Sequence, residues 1–261
     1  MSLMLPGLLA TSVLFASGVR QFQMFQQGQI RDPWAWGLAC AGFLLTLSVL
    51  VLGFEANGGR PTTGLMGSLL GALLLLIVIG TSLHQPVNVL LIGVAPLTGL
   101  FTVLASIRPG EDTLGPLNVE TAVHILTSIV AYGSVAFAGT LSFFVTWHHS
   151  KLKERPLGPW VALLPPLDAM EHLFLRTVQA AWVTLTVALL TGIVYVDDFW
   201  GQHLAHKTTL SVLAWIGMTL ALWQHYRDGG VTRTMRKTAV WAAVLLCLGY
   251  LGSKAIVEFL L

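Results

Sequence analysis

The side chains in this sequence best suited to chemistry are its eight histidines: His84, His124, His148, His149, His172, His203, His206 and His225. Imidazole is a proton carrier near neutral pH and a common ligand of transition metals. His124 stands in Thr121-Ala-Val-His-Ile-Leu-Thr-Ser, about one turn inside an apolar run, where an ionisable side chain needs a polar partner, water or a metal. Its helical neighbours Thr127, Ser128 and Ala131 are small and would leave room for a flat ligand, although a histidine hydrogen-bonded to a neighbouring helix is the simpler reading on composition alone. His203 and His206 share the segment Asp197-Asp-Phe-Trp-Gly-Gln-His-Leu-Ala-His-Lys, and their i, i+3 spacing could set both rings on one helical face or in a solvated loop. His225 closes an apolar run in Trp223-Gln-His-Tyr-Arg and His84 closes another, so each could also be a snorkelling polar end. His148 and His149, beside Lys151, Lys153 and Arg155, read most simply as a solvated cluster facing lipid headgroups.

The elements that must position these rings are apolar. Of 261 residues 55% are hydrophobic and only 10% charged, with a mean hydropathy of +0.75, which excludes an ordinary soluble domain and a disordered chain. Cys40 and Cys247 sit in apolar runs without CxxC spacing, so thiol redox chemistry and a disulfide scaffold are not expected. Eight stretches of membrane-spanning length are read near 3–19, 34–53, 63–83, 87–106, 121–147, 173–196, 208–223 and 238–261. The expectation is an all-α polytopic membrane protein of about eight transmembrane helices, forming one transmembrane domain over 1–261. The third and fourth spans are split only by His84, Gln85 and Pro86, which predicts a tight helical hairpin. No basic residue precedes the first span, so a cleaved signal peptide is not expected there.

Basic residues set the orientation. Arg20, Arg31, Lys151, Lys153, Arg155, Arg227, Arg233, Arg236 and Lys237 fall in alternate loops, which predicts that both termini lie outside the cytoplasm of a bacterial inner membrane. His124 and the 197–207 segment then belong to the outer side, and His84, His148, His149, His172 and His225 to the inner.

Several features need only structural roles. Asp168 and Glu171, after Pro165 and Pro166, have the spacing of a capping box for the sixth helix. Trp34, Trp36, Trp147, Trp160, Trp200 and Trp223 fall at span ends, as interfacial belt residues do. Pro96 predicts a helix kink, and the small residues Gly133, Ser134, Ala136, Ala138 and Gly139 predict close packing of the fifth helix.

The missing motifs narrow the chemistry. There is no HExxH, no Cys/His cluster, no repeated filter, and Glu258 is the only acidic residue well inside a span, which argues against a zinc hydrolase, an ion channel and a proton pump. Neutral spans with imidazoles near both ends suit haem iron and its apolar macrocycle.

From His124 to the carboxyl end the sequence resembles the cytochrome c assembly family of membrane haem-handling proteins (the CcsA, CcmC and HemX kind), most closely its small eight-span YpjD-like branch. The resemblance rests on Val123-His-Ile-Leu-Thr-Ser-Ile-Val-Ala-Tyr-Gly, on Pro166-Leu-Asp-Ala-Met-Glu followed by Leu185-Thr-Val-Ala-Leu-Leu-Thr-Gly, on Trp200-Gly, and on Trp223-Gln-His-Tyr-Arg. Residues 1–120, the first four spans, match in hydropathy only. The resemblance implies that His124 is the outer axial histidine, that His225 is the inner one, and that Trp200 and Gly201 open the tryptophan-rich segment presenting haem on the outer surface. The later Trp, Asp and Glu of that segment are absent here, so the surface expected for cytochrome c ligation is truncated and His203 or His206 would have to replace the missing ligand.

The reading that follows is a haem b protein that binds or passes haem without catalysing a covalent reaction. Its cofactor-binding candidates are His124, His203, His206, His225, His84 and Trp200, and its metal ligands are drawn from His124, His206 and His225. Its partners would be the lipid bilayer, haem and other membrane or cytochrome-assembly proteins, with no nucleic acid. A haem-free membrane scaffold or regulatory subunit is the main alternative. A small-solute transporter is weaker, since no inverted repeat is visible.

Overall fold

A computed structural model of the chain describes residues 3–60, 62–107, 118–153, 166–195 and 205–260. For 63, 205, 206 and 250–260 it describes the backbone alone. Among the described residues there are eight α-helices and no strand: α1 (Met4–Gln26), α2 (Pro33–Ala56), α3 (Thr63–His84), α4 (Leu91–Ile107), α5 (Val119–Lys151), α6 (Leu167–Tyr195), α7 (Ala205–Asp228) and α8 (Arg233–Leu260).

Among the described residues five segments are long and apolar enough to cross a membrane by length and composition: Pro33–Ala56, Gly64–His84, Asn88–Ile107, Val119–Lys151 and Leu167–Tyr195. Eight helices are present, as expected from hydropathy, and these five are the ones that qualify among the described residues. Arg20, Gln21, Gln23 and Gln26 fill the second half of α1 and His206 and Lys207 open α7, while the side chains of 250–260 in α8 lie outside the description.

The helices group into two units of four, α1–α4 and α5–α8. In the first unit α1 packs on α2 and α4, and α3 on α2 and α4. The hairpin expected at His84 is present: α3 ends there, and a 3-10 turn (Asn88–Leu90) leads directly into α4. Asp32 caps α2 through the Ala35 amide at 3.1 Å and pairs with Arg20 at 2.6 Å, tying the α1–α2 turn. Pro96 lies inside α4 against α1, where a Cβ on Gly18 would come within 2.7 Å of its ring. Hydroxyls join the buried faces: Thr98 Oγ1 donates to Gly71 O at 2.9 Å, and Thr11 Oγ1 to Gly99 O at 2.8 Å. With no hydrophobic gain to be had between helices in lipid, such small-residue approaches and interhelical hydrogen bonds hold a unit together.

The second unit is a closed ring, α5 on α6, α6 on α7, α7 on α8 and α8 back on α5. The α5–α8 seam is close because Gly139 has no side chain; a Cβ there would lie 2.7 Å from that of Ala243. The α6–α7 seam is closed differently. Trp182 donates its indole N–H to Thr219 Oγ1 at 2.9 Å, and Trp215 donates to Thr186 Oγ1 at 2.8 Å. The two rings stack between these bonds, with centroids 6.4 Å apart. Each helix therefore lends a tryptophan and a threonine to the other, satisfying two donors that would be costly bare in hydrocarbon.

Candidate functional site

Asn118 opens α5, its side chain accepting from the Thr121 amide at 2.9 Å, and this cap starts the turn that carries His124. His124 is half-buried, and its Nδ1 lies 3.2 Å from Thr191 Oγ1 near the end of α6. Thr191 sends its own hydroxyl proton to Ala188 O at 3.0 Å, and Thr127 Oγ1 stands 3.0 Å from Thr191 Oγ1. With the Thr191 proton on that carbonyl, an imidazole donating from Nδ1 would keep its lone pair on Nε2. A hydrogen bond on one ring nitrogen that orients the other is the arrangement found around metal-bound histidines. The small neighbours expected from the sequence are in place: Thr127 and Ser128 are half-buried and Ala131 is fully buried.

The expected partners in the outer segment cannot be placed against it. Trp200, His203 and Gly201 lie outside the described residues. His206 lies in the first turn of α7, with its side chain likewise outside the description.

His225 stands in the last turn of α7, which Gly229 ends in the left-handed conformation at φ 71°, its N–H bonding to His225 O at 2.9 Å. The ring meets Tyr226 edge-on at 5.4 Å, and its Nδ1 is buried with no hydrogen-bond partner. His84 is the exposed last residue of α3 and belongs to the first unit.

Two residues given structural roles from the sequence stand elsewhere. Asp168 and Glu171 do not form a capping box, because α6 begins at Leu167 and both residues are already helical. Asp168 faces His172 at 3.6 Å, and Glu171 reaches out of its helix to His149 Nε2 at 2.7 Å and Arg236 NH1 at 3.7 Å. Arg236 is buried, with its Nε on Thr146 Oγ1 at 3.2 Å. Burial draws its guanidinium below the ordinary range and the Glu171 carboxylate opposes that pull; an arginine stays charged under either influence. This cluster ties together one end of α5, α6 and α8.

His148 departs furthest from the sequence reading. It is not solvated: only 3% of it is exposed, and its Nδ1 has no hydrogen-bond partner. The signal was present in the periodicity, since Ala138, Leu141, Val145 and His148 continue one buried stripe of α5. Among the described residues no three His, Cys, Asp or Glu side chains converge as a metal cage.

Comparison with known proteins agrees in direction. The family described as Cytochrome C assembly protein matches residues 62–261, which takes in the third and fourth helices as well as the stretch from His124 onward. Inner membrane protein YpjD of Escherichia coli strain K12 is 30% identical over 138 residues, covering 53% of this chain and 52% of that protein, so the match spans about half of its length. An uncharacterized 28.8 kDa protein of Azospirillum brasilense is 26% identical over 88% of each chain. Protein HemX of Brevibacillus brevis is 25% identical over 94% of this chain and 92% of its own. No solved structure matches.

Proposed function

We propose, from the premise that this chain belongs to the cytochrome c assembly protein family, that it is a multi-pass inner-membrane protein which binds haem b and hands it on in cytochrome biogenesis. The observation that carries the proposal is the pairing of His124 Nδ1 with Thr191 Oγ1 at 3.2 Å near one end of a four-helix unit, which would orient Nε2 as a metal donor. Haem, when bound, supplies an iron whose axial positions accept imidazole nitrogen. The chain's own residues do the rest. His124 would hold the iron at the outer end, His203 or His206 would supply the opposite ligand, and Trp200 would cover the macrocycle.

His225 would hold haem at the inner end. It cannot share one haem with His124, because α5 and α7 run in the same direction and the two residues stand at opposite ends of the unit. Two stations therefore belong to one path. No bond of the substrate is made or broken in this reading; the protein binds, orients and releases.

An absorbance spectrum and a pyridine haemochrome assay on detergent-purified protein from haem-replete cells test it. A Soret band with about one to two haems per chain is expected. A colourless, well-folded preparation would replace this reading with that of a haem-free scaffold.

A further inference from the structure

We infer that the interior of the first unit binds a dehydrated monovalent cation of sodium size, held by the hydroxyl oxygens of Thr46, Ser68 and Thr102. The inference concerns α1–α4 and does not rest on the haem-binding reading, whose residues belong mainly to the second unit.

Three helices bring these oxygens together. Thr46 of α2, Ser68 of α3 and Thr102 of α4 are all fully buried. Thr102 Oγ1 lies 3.4 Å from Thr46 Oγ1 and 3.3 Å from Ser68 Oγ. The threonine protons are spent elsewhere: Thr46 donates to Gly42 O at 2.9 Å and Thr102 to Thr98 O at 2.8 Å, each one turn back in its own helix. The contact between Thr46 and Thr102 therefore sets lone pairs face to face with no proton between them. Hydroxyls acting as glue between helices turn a proton across the interface and close to about 2.5–3.0 Å. These two do neither.

The spacing is that of oxygens sharing an ion. Oxygens 3.3–3.4 Å apart and at right angles about a centre each lie about 2.4 Å from it, the bond length of hard cations of sodium and calcium size. Ser68 completes the set once its proton turns to a carbonyl of its own helix, as the two threonines have done. The three oxygens then form one face of a coordination shell.

The surroundings fix the charge. Among the described residues of this unit the one buried acidic side chain is Asp32, and it is already engaged by Arg20 and the Ala35 amide. Calcium sites rely on carboxylates to offset the desolvation of two charges, and neutral hydroxyls alone suit a single charge.

The opposite end of the same interior also has oxygens to spare. Gln21 is fully buried, and its Nε2 donates to Ile30 O at 2.8 Å, which leaves Oε1 buried without a partner. Asn88, in the turn that packs on α1 before α4 begins, is buried with its Oδ1 unpaired. Bare amide oxygens cost free energy in hydrocarbon, and an ion that sheds water on its way in is stabilised by them. An unpaired donor of this unit, Asn57 Nδ2, belongs to the half-buried residue that ends α2.

The test is thermal unfolding and calorimetric titration of the full chain in detergent, in sodium, potassium or choline chloride at equal ionic strength. Sodium should raise the melting temperature saturably above that in choline, because an ion bound by the folded state alone stabilises it as the site fills. Potassium should act more weakly. Thr46→Val and Thr102→Val keep the side-chain shape and remove an oxygen, so each should weaken sodium binding about tenfold or more. Thr102→Ser, which keeps the oxygen, should bind as the wild type does, and so should Ser12→Ala at an exposed position of α1. Ser68→Ala reads the same loss where a valine variant does not fold. Equal melting of the wild type in sodium and choline would overturn the inference, as would equal stabilisation by sodium and potassium, or sodium binding that survives loss of these hydroxyls.

Discussion

The Nε2 of His149 lies 2.7 Å from Glu171 Oε1, joining the end of α5 to the beginning of α6 by a side chain that the sequence marks only as a helix-start residue. The same carboxylate faces the buried Arg236 of α8, so one acidic group serves three helices. Removing the shared member leaves a buried cation without its countercharge, which costs more than the pair contributes while intact.

Glu171→Ala should therefore lower stability by about 1–3 kcal/mol, toward the lower end because His149 and Glu171 are partly exposed. Thermal unfolding in detergent, with His149→Ala and the double variant, checks this. The His149 change should cost less once Glu171 is gone, and strict additivity would show that the contact is not energetically coupled.

His124→Ala should reduce haem occupancy or convert a six-coordinate spectrum to a five-coordinate one, since alanine has no donor for iron. Thr191→Val should weaken haem binding about 10–100-fold while the protein remains folded, because the ring then loses the acceptor that orients it. Thr191→Ser should restore it. In the outer segment, whichever of His203→Ala and His206→Ala removes the ligand should mimic His124→Ala, and the other should leave the spectrum unchanged.

Gly139→Ala gains about 1 kcal/mol of intrinsic helix propensity but places its methyl against Ala243, an apolar contact that cannot give without moving α8. Overpacking of this kind costs about 1–3 kcal/mol. A net loss in melting temperature is expected, recovered in part by the compensating Ala243→Gly. A gain from Gly139→Ala alone would show that the seam has slack.

The distribution of basic residues predicts that a reporter fused after Leu261 is active outside the cytoplasm and that one inserted at 151–155 is active inside. The reverse pattern would shift the membrane register by one span.

Helix number and boundaries were legible because apolar runs are interrupted at the turns that end them, as at His84 with Pro86 and at His225 with Gly229. The apolar runs read as spans correspond one to one with the eight helices, and polar side chains at the end of α1 and the starts of α7 and α8 extend those helices beyond their apolar parts. His124 could be singled out from its depth in a run, but its partner Thr191 could not, since 67 residues separate them and only the antiparallel docking of α5 and α6 brings them together. His148 was misread for the opposite reason. Neighbouring charges Lys151, Lys153 and Arg155 outweighed the stripe on which it lies, although on a helix the positions three and four residues back decide which way a side chain faces. Glu171 satisfied a local pattern, and local patterns are silent about reach to another helix.

The second unit closes on itself, its last helix lying beside its first and running opposite to it. Chain order and spatial order are thus separable there. A flexible linker from the end of α8 back to Asn118, with new termini opened at the Gly229–Gly230 turn, would keep every one of the four helix contacts. Such a circular permutant would begin on α8 and end on α7, carrying both histidine stations on a rearranged sequence with an unchanged set of neighbours.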